Sequence, residues 1–268
     1  MLTRLDAELV RRKLARSREQ AQQLIEAGLV LVDGVVSNKS SRQVSDSISI
    51  VVKENISKQY VSRGAYKLLS ALDAFSDQGL SIAKRIVLDA GASTGGFTQV
   101  ALERDAQKVV AVDVGYGQLA WELRQDERVE VIERTNIRYL EPENLSCVPD
   151  FVVADLSFIS LKTVLPALRR LCTDDVQMLL MVKPQFEVGK DDIGEGVVTD
   201  PALRASAVLE VIDAAQNLDL ALRGVVASGL PGPSGNVEYF VWLARGEVCK
   251  DKPTIEEMVK KAVEEGPQ

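Results

Sequence analysis

From residue 86 onward, short β-branched runs alternate with segments of helical spacing, and this alternation constrains the fold more than any other feature. "IVLDA", "KVVAVDV", "VEVIER", "DFVVADL" and "VQMLLMV" read as strands, and "GGFTQVALERD" and "LKTVLPALRRL" as the helices between them. Repeated strand–helix units build an α/β fold with a parallel sheet and helices on both faces. Ligands of such sheets bind beyond the C-terminal ends of the strands. That rule aligns Asp89, Asp113, Asn136, Asp155 and Lys183 along one edge.

The first of these strands runs into "DAGASTGGFT". This loop is neither GxxxxGK[ST] nor GxGxxG, because Gly91, Gly95 and Gly96 are spaced differently and no lysine follows to hold a phosphate. Asp113 ends the second strand, where a carboxylate can accept from both hydroxyls of a ribose. Asn136 follows the third, where its amide can address an adenine edge. The set fits a nucleoside cofactor without a pyrophosphate, a description that S-adenosylmethionine answers. Two readings compete: a nicotinamide enzyme with a varied loop, and strand-end carboxylates that are only helix caps or surface charges. On the S-adenosylmethionine reading the sheet is a Rossmann-like methyltransferase sheet, with Asp89, Gly91, Ser93, Gly95, Phe97, Asp113, Asn136 and Asp155 as its cofactor-binding set.

Composition then narrows the chemistry. The 268 residues include no histidine, which removes Ser-His-Asp and Cys-His machinery and nearly every zinc site, so no metal is expected. Cys147, Cys172 and Cys249 are scattered without CxxC spacing and read as free thiols of a reducing cytoplasm. There is no apolar run long enough to span a membrane, and "MLTRLDAELVRRK" is no signal peptide, so the expected location is cytoplasmic. The net charge of −7 is unevenly placed: residues 1–67 hold 12 basic and 7 acidic side chains, the remainder 20 and 32. A basic head on an acidic body makes the head the polyanion contact.

The head reads as a small α/β module. Leu5, Leu9 and Val10, then Ala21, Leu24 and Ile25, have helical spacing, with Ser17 as an N-cap, Gln20 as its partner and Gly28 as a stop. "LVLVDGVVS" alternates around Asp33-Gly34, a hairpin signal, and "SISIVV" supplies another strand. Arg16 and Arg18 flank the start of the second helix, where free N–H groups favour an anion; from charge alone they can equally be a solvated face with Arg11 and Arg12. "RLDAELVRRKLARSREQAQQLIEAGLVLVDGVVSNKSS" resembles the S4 RNA-binding domain. The resemblance implies a module for structured RNA over residues 1–57, with Arg4, Arg16, Arg18 and Lys39 as RNA contacts. A linker at 58–63 and a methyltransferase domain at 64–268 complete the expected organisation.

Lys67 in "SRGAYKLLSAL", Asp155 in "VVADLSF", Lys183 in "LLMVKPQFE" and Glu238 in "NVEYFVWL" form Lys-Asp-Lys-Glu in chain order. Singly, each reads as a strand-end charge meeting water. Together they resemble the catalytic tetrad of 2′-O-ribose methyltransferases of the FtsJ/RrmJ type, which implies Lys183 as the base, Asp155 as its positioner, Lys67 steering the substrate and Glu238 orienting the lysines. "VSRGAYKL", "DAGASTGGFT", "DVGYGQL", "ADLSFISL", "VKPQFE" and "GPSGNVEYF" in this order resemble the TlyA family of hemolysin-named rRNA (cytidine-2′-O)-methyltransferases. That resemblance implies S-adenosylmethionine as cofactor and ribosomal RNA or ribosomal subunits as partner, with both 16S and 23S rRNA as substrates. It carries no oligomeric state and requires no membrane. The linker departs from the family pattern at Lys58 and Tyr60.

Two features keep alternatives. Phe158 can stack on a flipped target base or belong to the core, and "FEVGKDDIGEGVVTDP" can close over RNA or be an ordered connection. The rival functions are a membrane-damaging protein and a non-catalytic RNA-binding ribosome-assembly factor.

Overall fold

The computed structural model describes residues 2–15, 17–26, 28–45, 48–52, 60–189, 196–232, 234–246 and 252–266. Arg16, Lys58, Cys249 and residues 190–195 of the glycine-rich segment lie outside the described residues. The chain divides into two compact units, Met1–Gln59 and Tyr60–Gln268.

In the first unit, β1 (Leu2–Arg4) leads into α1 (Leu5–Arg11), followed by α2 (Arg18–Glu26), β2 (Val30–Val32), β3 (Val35–Val36), β4 (Gln43–Ser45) and β5 (Ile50–Val52). The helical spacing seen in the sequence becomes a core of Leu5, Leu9, Ala21 and Ile25 against Val30, Val32, Val44 and Ile50. Gln20 N–H donates to Ser17 Oγ at 3.2 Å, and Gly28 closes the second helix region at φ +69°. Asp33 and Gly34, at φ +49° and +78°, make the two-residue turn between β2 and β3. The sequence reading missed the antiparallel pair of β1 and β4, because a three-residue strand acquires its partner only through tertiary folding.

Two carboxylates of α1 are fully covered. Asp6 accepts from the Arg4 guanidinium through both oxygens, at 3.1 and 2.9 Å, and also from Arg18 and Gln22. Glu8 accepts from Arg11 and Arg12. The arginines thus stand at the surface with their guanidinium planes anchored from beneath. Arg4 holds the Asp6 carboxyl well below the carboxylate range, against burial. Arg11 and, after burial's opposing effect, Arg12 hold Glu8 down at about 2.

The second unit contains α3 (Gly64–Phe75), β6 (Ile86–Ala90), α4 (Gly96–Glu103), β7 (Lys108–Val112), α5 (Trp121–Arg124), β8 (Val129–Ile132), β9 (Phe151–Ala154), α6 (Leu161–Arg170), β10 (Gln177–Val182), α7 (Pro184–Glu187), α8 (Pro201–Gln216), β11 (Leu220–Ala227), β12 (Tyr239–Arg245) and α9 (Lys252–Glu265). The sheet order is β11-β12-β10-β9-β6-β7-β8. Its strands carry alternate side chains into two cores. Leu88, Val152 and Leu180 face α6, α8 and α9. Val87, Val153 and Leu179 face α3, α4 and α5. Strands buried on both faces read as unbroken apolar runs, which is why "FVVA" and "MLLMV" stood out.

Two expectations need correction. The sheet is not wholly parallel: β12 runs antiparallel to both β10 and β11. β11 returns to β12 through a turn closed by the Gly232 N–H to Asn236 carbonyl bond, with no crossover helix to carry the chain back. Residues 60–63, expected in the linker, are folded onto the second unit. Tyr60 hydroxyl donates to Glu103 at 2.9 Å, Val61 N–H donates to Gln99, and burial, with Glu103, pushes the Tyr60 phenol up to about 12. The described end of the glycine-rich segment is ordered too. Asn236 accepts from Val198 N–H and donates to the Gly196 carbonyl, while Arg204 donates to the carbonyls of Val198 and Thr199. No described helix is long and apolar enough to cross a membrane.

Glu8 is more acidic folded than unfolded, so its contribution is complete above about 4.5 and is lost as pH falls toward about 2. Protection factors of the amides over 5–11, which discount the intrinsic slowing of exchange in acid, should therefore fall as pH drops from about 4.5 toward about 2, by about tenfold or less given the solvent-exposed arginines. Glu8→Gln should flatten that dependence. An acid profile identical to the unmodified protein would show that the pair stores no such stability.

Candidate active site

The sheet edge itself assembles the site. Asp113, Asp155 and Lys183 directly follow β7, β9 and β10. Because β12 runs the other way, Glu238, which precedes it, arrives at the same edge, with Val182 paired to Tyr239 and Leu180 to Ala154. The four charged residues form two ion pairs. Lys67 Nζ from α3 donates to Glu238 Oε2 at 2.5 Å, with the residues only 4% and 1% exposed. Lys183 Nζ lies 2.6 Å from Asp155 Oδ1 and donates to Ser157 Oγ at 2.9 Å. The Asp155 contact is a close ion pair without hydrogen-bond alignment, so Ser157 supplies the directional hold on the ammonium. Removing one partner of a buried pair strands the other charge, at a cost of about 3–5 kcal/mol.

Two adjoining cavities meet here. One, of about 400 Å³, is lined by Gly91, Ser93, Asp113, Asn136, Asp155 and Phe158 among others. The second, of about 260 Å³, is lined by Arg63, Lys67, Phe97, Asp155, Ser157 and Lys183 among others. Gly91, Ser93, Asp155 and Ser157 belong to both. Lys67, Asp155 and Lys183 therefore share one space, while Glu238 stands behind Lys67.

The glycine loop reaches this space because its backbone has no room for side chains. Gly91 sits at φ +86°, and a Cβ there would lie 2.7 Å from the Asp155 carbonyl oxygen. A Cβ on Gly96 would lie 2.2 Å from Ser62 Oγ and 2.9 Å from Ala65 N. Asp113 stabilises the turn: Oδ2 accepts from Ser93 N–H at 2.8 Å and Oδ1 from Gly115 N–H at 2.7 Å. Asn136 Oδ1 accepts from Arg138 N–H, leaving its amide nitrogen available.

Some expected residues occupy different places. Asp89 and Gly95 line neither cavity. Asp89 is buried behind the loop, where Thr98 hydroxyl donates to Oδ2 at 2.6 Å and Oδ1 has no partner. Burial pushes its carboxyl up to about 7, and the Asp155 charge adds to the shift. Gly95 supports the loop at φ +100° against Leu119 and Leu123. Phe97 lines the smaller cavity and packs on Phe240. Phe158 is no core residue: it is 91% exposed at φ +63°. Arg63, Ser157, and Tyr116 with Arg134 over its ring at 4.1 Å were not singled out from sequence. Only the polar, glycine-flanked setting of Tyr116 in "VGYGQ" offered a signal for it.

The larger cavity fits S-adenosylmethionine by size, by its paired acceptor carboxylates Asp113 and Asp155, by the glycine backbone that forms its floor, and by the absence of a phosphate-holding lysine from its lining. Residues 60–245 match the FtsJ-like methyltransferase family, and residues 3–47 match the S4 domain. The chain belongs to the TlyA family of FtsJ-like methyltransferases. It is 55% identical, over 98% of each chain, to the 16S/23S rRNA (cytidine-2′-O)-methyltransferase TlyA of Mycobacterium tuberculosis. The Hemolysin A of Brachyspira hyodysenteriae is 36% identical over 88% of this chain and 98% of its own. The solved structure of a hemolysin-named protein from Streptococcus thermophilus matches with a TM-score of 0.74 and 38% identity, over 98% of this chain and 96% of that one. An FtsJ-like catalytic unit with an S4 domain before it is thus the plan of this family member.

Asp113→Ala removes two anchors of the loop as well as an acceptor facing the cavity. Each charge-assisted bond contributes about 1.5–3 kcal/mol, so cofactor affinity should fall about 10- to 100-fold with the fold retained. Gly91→Ala should lose both affinity and stability, through the forced φ and the contact with Asp155. Calorimetry finding unchanged cofactor affinity in Asp113→Ala would remove this carboxylate from the binding set.

Proposed function

We propose that this protein transfers the methyl group of S-adenosylmethionine to the ribose 2′-hydroxyl of cytidine in ribosomal RNA, of both subunits, in the cytoplasm. The observation that carries the reading is the placement of two lysine–carboxylate pairs, Lys67–Glu238 and Lys183–Asp155, on a cavity that opens into the glycine-loop cavity. The larger cavity takes the cofactor through Gly91, Ser93, Asp113 and Asn136, with Asp89, Gly95 and Phe97 supporting the loop. When bound, S-adenosylmethionine supplies a methyl carbon made electrophilic by its sulfonium.

The smaller cavity takes the target ribose. Lys183, unprotonated, would take the 2′-hydroxyl proton and end as an ammonium, and S-adenosylmethionine would supply the methyl group that the oxygen receives and leave as S-adenosylhomocysteine. Asp155 stands beside that ammonium as it forms, and Ser157 orients Nζ. Lys67, held by Glu238, places a fixed positive charge where the hydroxyl must approach. Phe158, exposed on a strained backbone at the rim, gives a flipped base a surface to stack on. Tyr116 with Arg134 and Tyr139 with Arg138 add exposed ring–guanidinium pairs on the same unit. In the first unit, Arg4, Arg18 and Lys39 contact RNA phosphates. A rival reading, RNA binding without catalysis, predicts cofactor binding with no transfer to RNA or subunits.

Lys183→Ala should abolish transfer while leaving cofactor and RNA binding near normal, because a base acts in the transition state. Lys183→Arg should fail almost as completely, since a guanidinium keeps its proton. Near-normal single-turnover methylation by the arginine variant would assign proton removal elsewhere. Arg18→Ala with Lys39→Ala should weaken RNA binding and reduce its salt slope by about one per lost phosphate contact. An unchanged slope would leave both side chains as ordinary surface.

A further inference from the structure

One buried acid beside the site has no part in the transfer just described. Glu187 closes α7 and is 7% exposed. Its Oε2 accepts from the Ser160 hydroxyl at 2.5 Å and its Oε1 from the Leu161 N–H at 2.7 Å. Ser160 caps α6, its own Oγ accepting from Lys162 N–H, so the Glu187 and Ser160 side chains take two of that helix's first N–H groups.

The same short stretch makes two further contacts with the loop between β9 and α6. Lys183 holds Ser157, and the Phe186 ring lies 5.2 Å from the Phe158 ring at 47°. Positions 183, 186 and 187 thus grip 157, 158 and 160–161 in the same order. Phe158, in the middle of this series, keeps a left-handed backbone that an aromatic residue adopts only where its surroundings impose it. The apolar contact with Phe186 does not specify a backbone angle. The directional bonds on either side of Phe158, at Ser157 and at Ser160–Leu161, do.

We propose that Glu187 is a positioning residue for methyl transfer: its carboxylate locks the start of α6 and so holds Phe158 over the cavity in register with Lys183. A carboxylate suits the task because the position needs two acceptors at once, one for a hydroxyl and one for a backbone N–H. Glutamine keeps one of these, and alanine keeps neither. The proposal rests on the reading of Phe158 as the surface that receives the target base.

The test uses the full chain and compares Glu187→Gln, Glu187→Ala, Phe158→Ala and the double variant Glu187→Ala/Phe158→Ala. Under saturating S-adenosylmethionine and ribosomal RNA or subunits, Glu187→Ala should slow single-turnover transfer about 10- to 100-fold, with Glu187→Gln between it and the unmodified protein. Cofactor affinity by calorimetry should fall by much less than the rate, because Phe158 is one of many residues lining that cavity. The double variant should be no slower than Phe158→Ala, because both changes remove the same placement. Full-rate transfer by Glu187→Ala, or losses that multiply in the double variant, overturns the proposal while leaving the proposed function standing. Absence of transfer by the unmodified protein overturns that function instead. Amide hydrogen exchange over 157–162, measured on the free protein, decides the positioning claim independently. Faster exchange in Glu187→Ala with the sheet still protected supports it, and unchanged exchange refutes it.

Discussion

At the boundary between β6 and β9 the backbone of the glycine loop presses directly on the backbone that carries Asp155. A Cβ at Gly91 would stand 2.7 Å from the Asp155 carbonyl, so the loop reaches this depth only as glycine. That close approach brings Asp155 to the larger cavity on one side and to Lys183 on the other. A side chain at position 91 would have to displace that backbone, and with it a residue that both cavities share.

The electrostatics of the site follow from a chain without histidine. Two largely buried lysines line the same cavity, and each has its own carboxylate, so neither charge is left uncompensated. The Lys67–Glu238 pair is almost wholly buried and acts as a fixed element of the wall. The Lys183–Asp155 pair is the more open of the two, which leaves it accessible from the cavity. The first unit applies the same device for another end. There Asp6 and Glu8 lie fully covered under Arg4, Arg18, Arg11 and Arg12, and their charge holds the guanidinium groups in place at the surface.

Much of this was legible from local patterns. The Asp33-Gly34 turn depends on two residues that tolerate positive φ, and the hairpin followed from them. Of the strands from β6 to β10, β9 and β10 stood out most as apolar runs because strands buried on both faces carry few polar side chains, whereas edge strand β8 carries Glu130. The candidate residues Asp113, Asp155 and Lys183 lay at predictable strand ends because the ligand edge of such a sheet is fixed by strand direction. Where reading failed, the missing information was non-local. Nothing within β12 shows which way it runs, and the ordered state of Tyr60 depends on Glu103 in α4.

By itself, the amino-acid sequence determined the alternation of strand and helix, the glycine-only loop, the absence of histidine chemistry and the basic head, since each is a property of neighbouring residues or of composition. Only the tertiary structure decided that Glu238 reaches the same edge as Lys183, that Asp89 lies behind the cavity, that Phe158 stands exposed, and that Glu187 caps α6. Those outcomes depend on which strand turns back and on which side chains meet across 26 or more residues of chain, and such meetings are set by sheet order and packing rather than by any local preference.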